Sequence, residues 1–229
     1  GQFVEYVPPT TPARIDAIVQ SPRAYWDHDY DENSWVSFHT GGPTYILERI
    51  QTRLAAHYPG TPVGVSEYFP GGCDHIASGV GVADSLGIFM RMDVGLAAPW
   101  PDCTGGAAKL RYAYGALKLL RNADGMGLRF AGTHVRVSHP ASDKALTSVY
   151  AGSDDPSRVT VLVVNKTFAS RRLALRAFHS AALGKVRVYR IDAAHADPTF
   201  AGEVPLTKLN AWVYDAPALS ASMLVFQTP

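Results

Sequence analysis

The hydrophobic pattern changes character near residues 122–127. Before that point, short apolar runs alternate with longer stretches whose apolar residues recur every three or four positions. After it, short β-branched runs follow one another with turn residues between them. The first pattern predicts parallel strands separated by helices, the second a β-sandwich. Residues 3–7 (FVEYV) read as a strand stopped by Pro8 and Pro9. A long loop then carries Trp26, Tyr30 and Trp35 among Asp27, Asp29, Asp31 and Glu32. Ile46, Leu47, Ile50 and Leu54 predict a helix over 45–57, ended by Pro59 and Gly60. Residues 62–68 (PVGVSEY) predict a strand, Gly71 and Gly72 a turn, and 76–92 a helix. A third strand over 94–98 and a third helix over 107–121 complete three strand–helix units. Beyond them, strands are predicted at 133–137, 146–151, 158–165, 172–177, 185–191, 212–214 and 222–226.

The expected fold class is therefore α/β followed by all-β, with domains at 1–125 and 126–229. If the first domain belongs to a (β/α)₈ barrel, it is only part of one. Such a barrel takes about 250 residues by itself, and the whole chain has 229.

Charge narrows the partners. The 21 basic and 20 acidic residues leave a net charge of +1, with no basic stripe suited to nucleic acid. No apolar stretch has the length of a membrane span. The first residues lack the basic start and long apolar run of a signal peptide, so the chain begins either after processing or, on the favoured reading, inside a fold. No zinc, P-loop, dinucleotide or nucleophile-elbow motif occurs in a convincing context, so no cofactor or metal is expected. Cys73 and Cys103 either form one bridge in an oxidising compartment or remain free thiols.

Glu is scarce, at five of the 20 acids, which draws attention to Glu67. It ends a predicted strand just before a glycine-rich turn. In a barrel, the residues at that end of each strand line the active site. Trp100 follows the next strand and would stand nearby. Flat aromatic rings suit the C–H faces of sugars, so Trp100, Trp26, Trp35 and Tyr30 are candidate substrate contacts; each Trp is otherwise a loop anchor. His75, beside Asp74, either meets a substrate hydroxyl or caps the following helix. Asn165-Lys166-Thr167 is a glycosylation sequon.

The ordered set of segments resembles glycoside hydrolase family 44. Residues 66–72 (SEYFPGG), 74–76 (DHI) and 83–89 (ADSLGIF) resemble the family's nucleophile strand, turn and helix. Residues 22–27 (PRAYWD) and 30–36 (YDENSWV) resemble its aromatic loop. Residues 58–61 (YPGT), 122–125 (NADG) and 159–166 (VTVLVVNK) resemble later elements. The resemblance implies the C-terminal portion of a (β/α)₈ barrel followed by a β-sandwich, in a secreted retaining endo-β-1,4-glucanase or xyloglucanase. It implies that Glu67 is the nucleophile, with Tyr68, Trp100, Trp26 and Trp35 at the β-glucan or xyloglucan. Adjacent barrel strands would also bring Cys73 and Cys103 within reach of a bridge.

Two departures stand out. Tyr68 is followed by Phe69 and Pro70 where the family has Asn. The family's acid/base Glu, in an Asn-Glu-Pro setting, has no counterpart; Glu5 is the only geometric substitute. The resemblance therefore implies a partner, an N-terminal barrel portion supplied as a second chain. The alternative is a non-catalytic carbohydrate-binding or scaffold protein derived from such an enzyme.

Overall fold

The structure, a computed structural model, describes residues 7–229. Most of the strand expected at 3–7, and Glu5 with it, lies outside the described residues. The stretch expected as a long loop contains two helices, α1 (Pro12–Gln20) and α2 (Trp35–Thr40), with a 3₁₀ turn at Ser21–Tyr25. At nine and six residues they are too short to show a clear helical period, and their signals are the caps. The Thr11 side chain accepts the Arg14 N–H and Pro12 opens α1. Ser34 and Ser37 cap α2 reciprocally.

Next come α3 (Ile46–His57), β1 (Val63–Tyr68), α4 (Ile76–Arg91), β2 (Val94–Pro99) and α5 (Arg111–Arg121). The last helix begins four residues later than its apolar period predicts. Left-handed Gly105 and Gly106 force a 3₁₀ turn at Gly106–Lys109 first. β1 and β2 form a two-stranded parallel sheet.

The remaining strands are β3 (His134–Val135), β4 (Thr147–Asp155), β5 (Arg158–Asn165), β6 (Arg171–Arg176), β7 (Lys185–Asp192), β8 (His195–Pro205), β9 (Ala211–Ala216) and β10 (Ser220–Gln227). Six of them form one sheet in the order β3-β4-β5-β10-β7-β8, and β6 pairs with β9 in a second. Sequence patterning missed β8. It is an edge strand, largely exposed, and Pro198 and Gly202 interrupt its alternation.

The six-stranded sheet buries apolar side chains on both faces. Along β10, Ala221, Met223 and Val225 enter a core shared with α4 and α5. Leu224 and Phe226, alternating with them, enter a second core under Leu173, Leu175, Trp212 and Tyr214 of β6 and β9. Each of the larger side chains contributes roughly 1.5–3 kcal/mol by leaving water. The first core crosses the expected division at 125/126: residues from Ile18 to Val225 form one contiguous cluster. Two glycines permit the close approach. A Cβ on Gly87 would stand 2.3 Å from the Tyr150 ring, and one on Gly115 would stand 1.7 Å from the Ala196 carbonyl oxygen.

A charged junction lies inside this contact. Lys166 Nζ sits 3.3 Å from Asp84 Oδ2 and donates to the Lys144 carbonyl at 2.6 Å and Ser148 Oγ at 3.0 Å. The Tyr150 hydroxyl donates to the other Asp84 oxygen at 2.7 Å. Lys166 and Asp84 have almost no solvent contact. Burial pulls the Lys166 ammonium below its ordinary range against the opposing attraction of Asp84. Burial, reinforced by Asp84, pushes the Tyr150 hydroxyl well up.

Asn165, one residue earlier, is also fully buried. Its amide donates to the Ala169, Ala216 and Pro217 carbonyls, and its oxygen accepts from Thr167. In the folded chain this Asn is a structural hub, with no free amide for glycosylation.

Two predictions follow from these contacts. Asp84→Ala strands a buried cation and should lower unfolding free energy by about 3–5 kcal/mol in urea titrations, whereas Asp84→Leu with Lys166→Met should recover part of that loss. The described chain also carries a Cys73–Cys103 disulfide closing a 30-residue separation. Replacing both cysteines by Ser should cost about 3–4 kcal/mol, the entropy of a loop that long, and should remove any effect of added reductant on the same titration.

Candidate active site

The tip of β1 is shaped by a register irregularity. Val65 lies opposite Ala97, but Tyr68 lies opposite Pro99. Three steps on β1 thus match two on β2, so β1 carries an extra residue, a bulge. Val65 and Tyr68 consequently both pack on the helix-side core, which strict alternation would forbid for positions three apart. Tyr68 is 4% exposed, with its ring edge-on to Phe89 at 5.0 Å. Burial pushes its hydroxyl up to about 12. Glu67, the preceding residue, is left exposed to solvent.

Trp100 stands next to this tip. Its backbone N–H donates to the Tyr68 carbonyl at 3.0 Å, extending the β1–β2 pairing by one step, and its side chain is 63% exposed. A carboxylate and a flat aromatic ring therefore emerge from adjacent strand ends. Leu96, also on β2, is 67% exposed, so apolar surface continues down this small sheet.

The turn after the carboxylate is pinned from several sides. Gly71 and Gly72 adopt left-handed conformations, and a Cβ on Gly72 would meet the Ser78 nitrogen at 3.0 Å. Pro70 packs against Gly81, where a Cβ would come within 2.8 Å of the proline ring. The disulfide joins this turn to the loop after β2. Asp74 accepts two hydrogen bonds from Arg111 at the start of α5, at 2.9 and 3.1 Å. His75 is the N-cap of α4: its Nδ1 accepts the Ala77 N–H at 3.1 Å. Of the two roles its sequence position allows, the structure displays the cap.

The other aromatic candidates have local partners. Trp26 packs against the helix-side core, with the Arg91 guanidinium 4.2 Å above its ring. Arg91 ends α4 and His75 begins it, so the two candidates sit at opposite ends of a 16-residue helix, about 24 Å apart along its axis. Tyr30 lies under Arg23 at 4.8 Å. Trp35 is 68% exposed at the start of α2, edge-on to His39 at 6.0 Å.

Sequence reading overlooked Phe38, which is 83% exposed and also contacts His39. Its only sequence signal was the three-residue spacing from Trp35 on a helix too short to be recognised. The acids among these aromatics are structural. Burial disfavours the Asp27 carboxylate, but Lys144, the Asp29 N–H and Arg23 together hold it below its ordinary range.

No second Glu accompanies Glu67 among the described residues. Glu32 accepts from Ser34 and Thr44. Glu48 pairs with His28, and Glu203 with Lys185. Nor does any group of His, Cys, Asp and Glu among the described residues form a metal-binding cluster.

The fold has close counterparts. A xyloglucanase of Paenibacillus polymyxa from glycoside hydrolase family 44, solved with xyloglucan, superimposes with a TM-score of 0.85 at 27% identity, covering 94% of this chain and 42% of that one. A family 44 endoglucanase of Clostridium acetobutylium gives a TM-score of 0.87 at 29% identity, covering 99% and 44%. Endoglucanase A of Paenibacillus lautus is 31% identical over 216 residues, covering 92% of this chain and 30% of that protein. The chain matches the C-terminal portion of glycoside hydrolase family 44. It spans less than half the length of these family 44 relatives. No protein-family model matches it.

The His75 cap makes stability depend on pH. Burial lowers the pKa of His75, and the same holds for His134 and His139. A histidine lowered in the fold binds fewer protons there than in the unfolded chain. Its stabilisation is therefore present above about pH 6.5, the unfolded value, and is lost as pH falls from there through the folded value. Protonation of Nδ1 also removes the acceptor for Ala77. The melting temperature should fall between pH 7.5 and pH 5. His75→Ala should lower it at pH 7.5, through the loss of about 1 kcal/mol of capping, and flatten the decline.

Proposed function

We propose that this chain is the nucleophile-bearing part of a secreted, retaining endo-glycoside hydrolase acting on β-1,4-glucan or xyloglucan. The observation that carries the reading is Glu67, exposed at a bulged strand tip beside exposed Trp100, in a chain similar to family 44 xyloglucanases and endoglucanases. On this reading β1 and β2 are closing strands of a (β/α)₈ barrel within residues 1–125, and residues 126–229 form its β-sandwich companion. The disulfide supports an extracellular setting.

Retaining hydrolysis needs two carboxyl groups about 5–5.5 Å apart. Glu67 attacks the anomeric carbon while the second group protonates the departing glycosidic oxygen. The same group then removes a proton from water, which displaces Glu67 and releases the sugar with its original configuration. Glu32, Glu48 and Glu203 are engaged elsewhere and Glu5 lies outside the described residues, so this reading takes the second carboxyl from an N-terminal barrel portion supplied as a second chain. The exposed flank at Leu96 and Trp100 supports such a neighbour. Trp100 serves as a sugar platform, and Trp35 with Phe38 offers a second exposed aromatic surface.

The lack of a described second Glu also favours one competing reading, a non-catalytic carbohydrate-binding or scaffold protein. Activity separates the two. Assembled with an N-terminal barrel portion, the chain should cleave xyloglucan or carboxymethylcellulose. Glu67→Gln should lower kcat on the order of 10³-fold or more while retaining polysaccharide binding. Binding without cleavage by the unsubstituted assembly would favour the non-catalytic reading, and unchanged turnover in Glu67→Gln would remove Glu67 from the mechanism.

A further inference from the structure

The face of the six-stranded sheet turned away from α4 is only partly covered. Tyr150 of β4 faces α4, so its neighbours Val149 and Ala151 face the other way. There the second layer holds just β6 and β9 against six strands. A groove of about 820 Å³ remains, floored by Val149, Ala151 and Val161 and flanked by Leu173 and Leu175 of β6 and by the 136–140 segment. Its titratable lining is mostly basic, with Arg136, Arg171 and His139 against Asp143.

The backbone of β6 gives this groove a direction. Ala177 N–H donates toward β9, to the Asn210 carbonyl, one step beyond the Arg176–Ala211 pair. Peptide groups alternate sides along a strand, so Arg171, Leu173 and Leu175 also bond toward β9. Arg172, Ala174 and Arg176 then present their N–H and C=O groups along the free edge, into the groove. An apolar floor one sheet layer deep beside an unpaired strand edge is the geometry of β-augmentation.

We propose that the groove accepts one added β-strand, paired to β6, with apolar side chains at alternate positions facing Val149 and Val161 and acidic ones near the arginines. The strand comes from the part of the enzyme outside residues 1–229; the chain accounts for 42–44% of the length of its solved family 44 relatives, which leaves ample polypeptide to supply it. Only this source depends on the proposed function. The groove's preference for an extended strand does not.

The test uses the 229-residue chain and a synthetic eight-residue peptide alternating valine and glutamate. Amide hydrogen exchange, read residue by residue, should slow about tenfold or more at Arg172, Ala174 and Arg176 and stay unchanged at Leu173 and Leu175. A valine–lysine peptide should bind at least tenfold more weakly. Ala174→Pro removes one edge donor at an exposed position and should weaken the valine–glutamate peptide about tenfold with the melting temperature preserved. No protection at millimolar peptide, protection without the alternation, or binding untouched by Ala174→Pro would overturn the proposal. So would a xyloglucan heptasaccharide protecting the same edge amides, since the groove would then be a sugar site. Glycosidase activity is not read, so failure here leaves the role of Glu67 standing.

Discussion

The contact between α4 and the six-stranded sheet is fixed by a charge that cannot be left alone. Lys166 projects from the end of β5 into a site closed to solvent and finds Asp84 on α4, which Tyr150 binds from the other side. Such a pair adds little net stability over an apolar filling, because desolvation offsets attraction. It does oppose misregistration: sliding α4 by one turn, about 5.4 Å, would leave both charges unpaired. Gly87 sharpens this constraint, since only there can the helix approach the Tyr150 ring so closely.

The candidate site inherits its order from that helix. The N-terminus of α4 carries His75 and follows the turn that leaves Glu67. The disulfide and the Asp74–Arg111 pair tie this turn to the loop after β2 and to α5. α5 in turn packs on the β7–β8 hairpin, where Tyr112 bonds the Ala193 carbonyl. A carboxylate used in catalysis must be held within a fraction of an ångström, and here rigidity reaches the strand tip through the helix layer from the β-rich half. That half therefore braces the candidate site.

Much of this was legible in the sequence because the informative stretches are long and periodic. The bounds of β5 were read without error, since alternating valines between turn residues permit little else. α4 was legible from its apolar period and from the histidine at its start. The helices near Trp26 and Trp35 were not, because a six- or nine-residue helix declares itself by caps such as Thr11 and Ser34. β8 was hidden because an exposed edge strand has no apolar face to display. The inward packing of Tyr68 was hidden for a different reason. It depends on a bulge, and an inserted residue leaves composition and spacing unchanged while reversing which neighbour faces the core. Nor did any local pattern link Lys166 to Asp84, 82 positions apart.

On the proposed function, the exposed carboxylate at the β1 tip forms a covalent bond with the sugar. The most direct measurement is to incubate the chain, assembled with an N-terminal barrel portion, with an activated 2-deoxy-2-fluoro-β-cellobioside and map the modified peptide by mass spectrometry. One glycosyl adduct is expected, located on Glu67. An adduct on another carboxylate, or cleavage of glucan with inversion and no adduct at all, would contradict it.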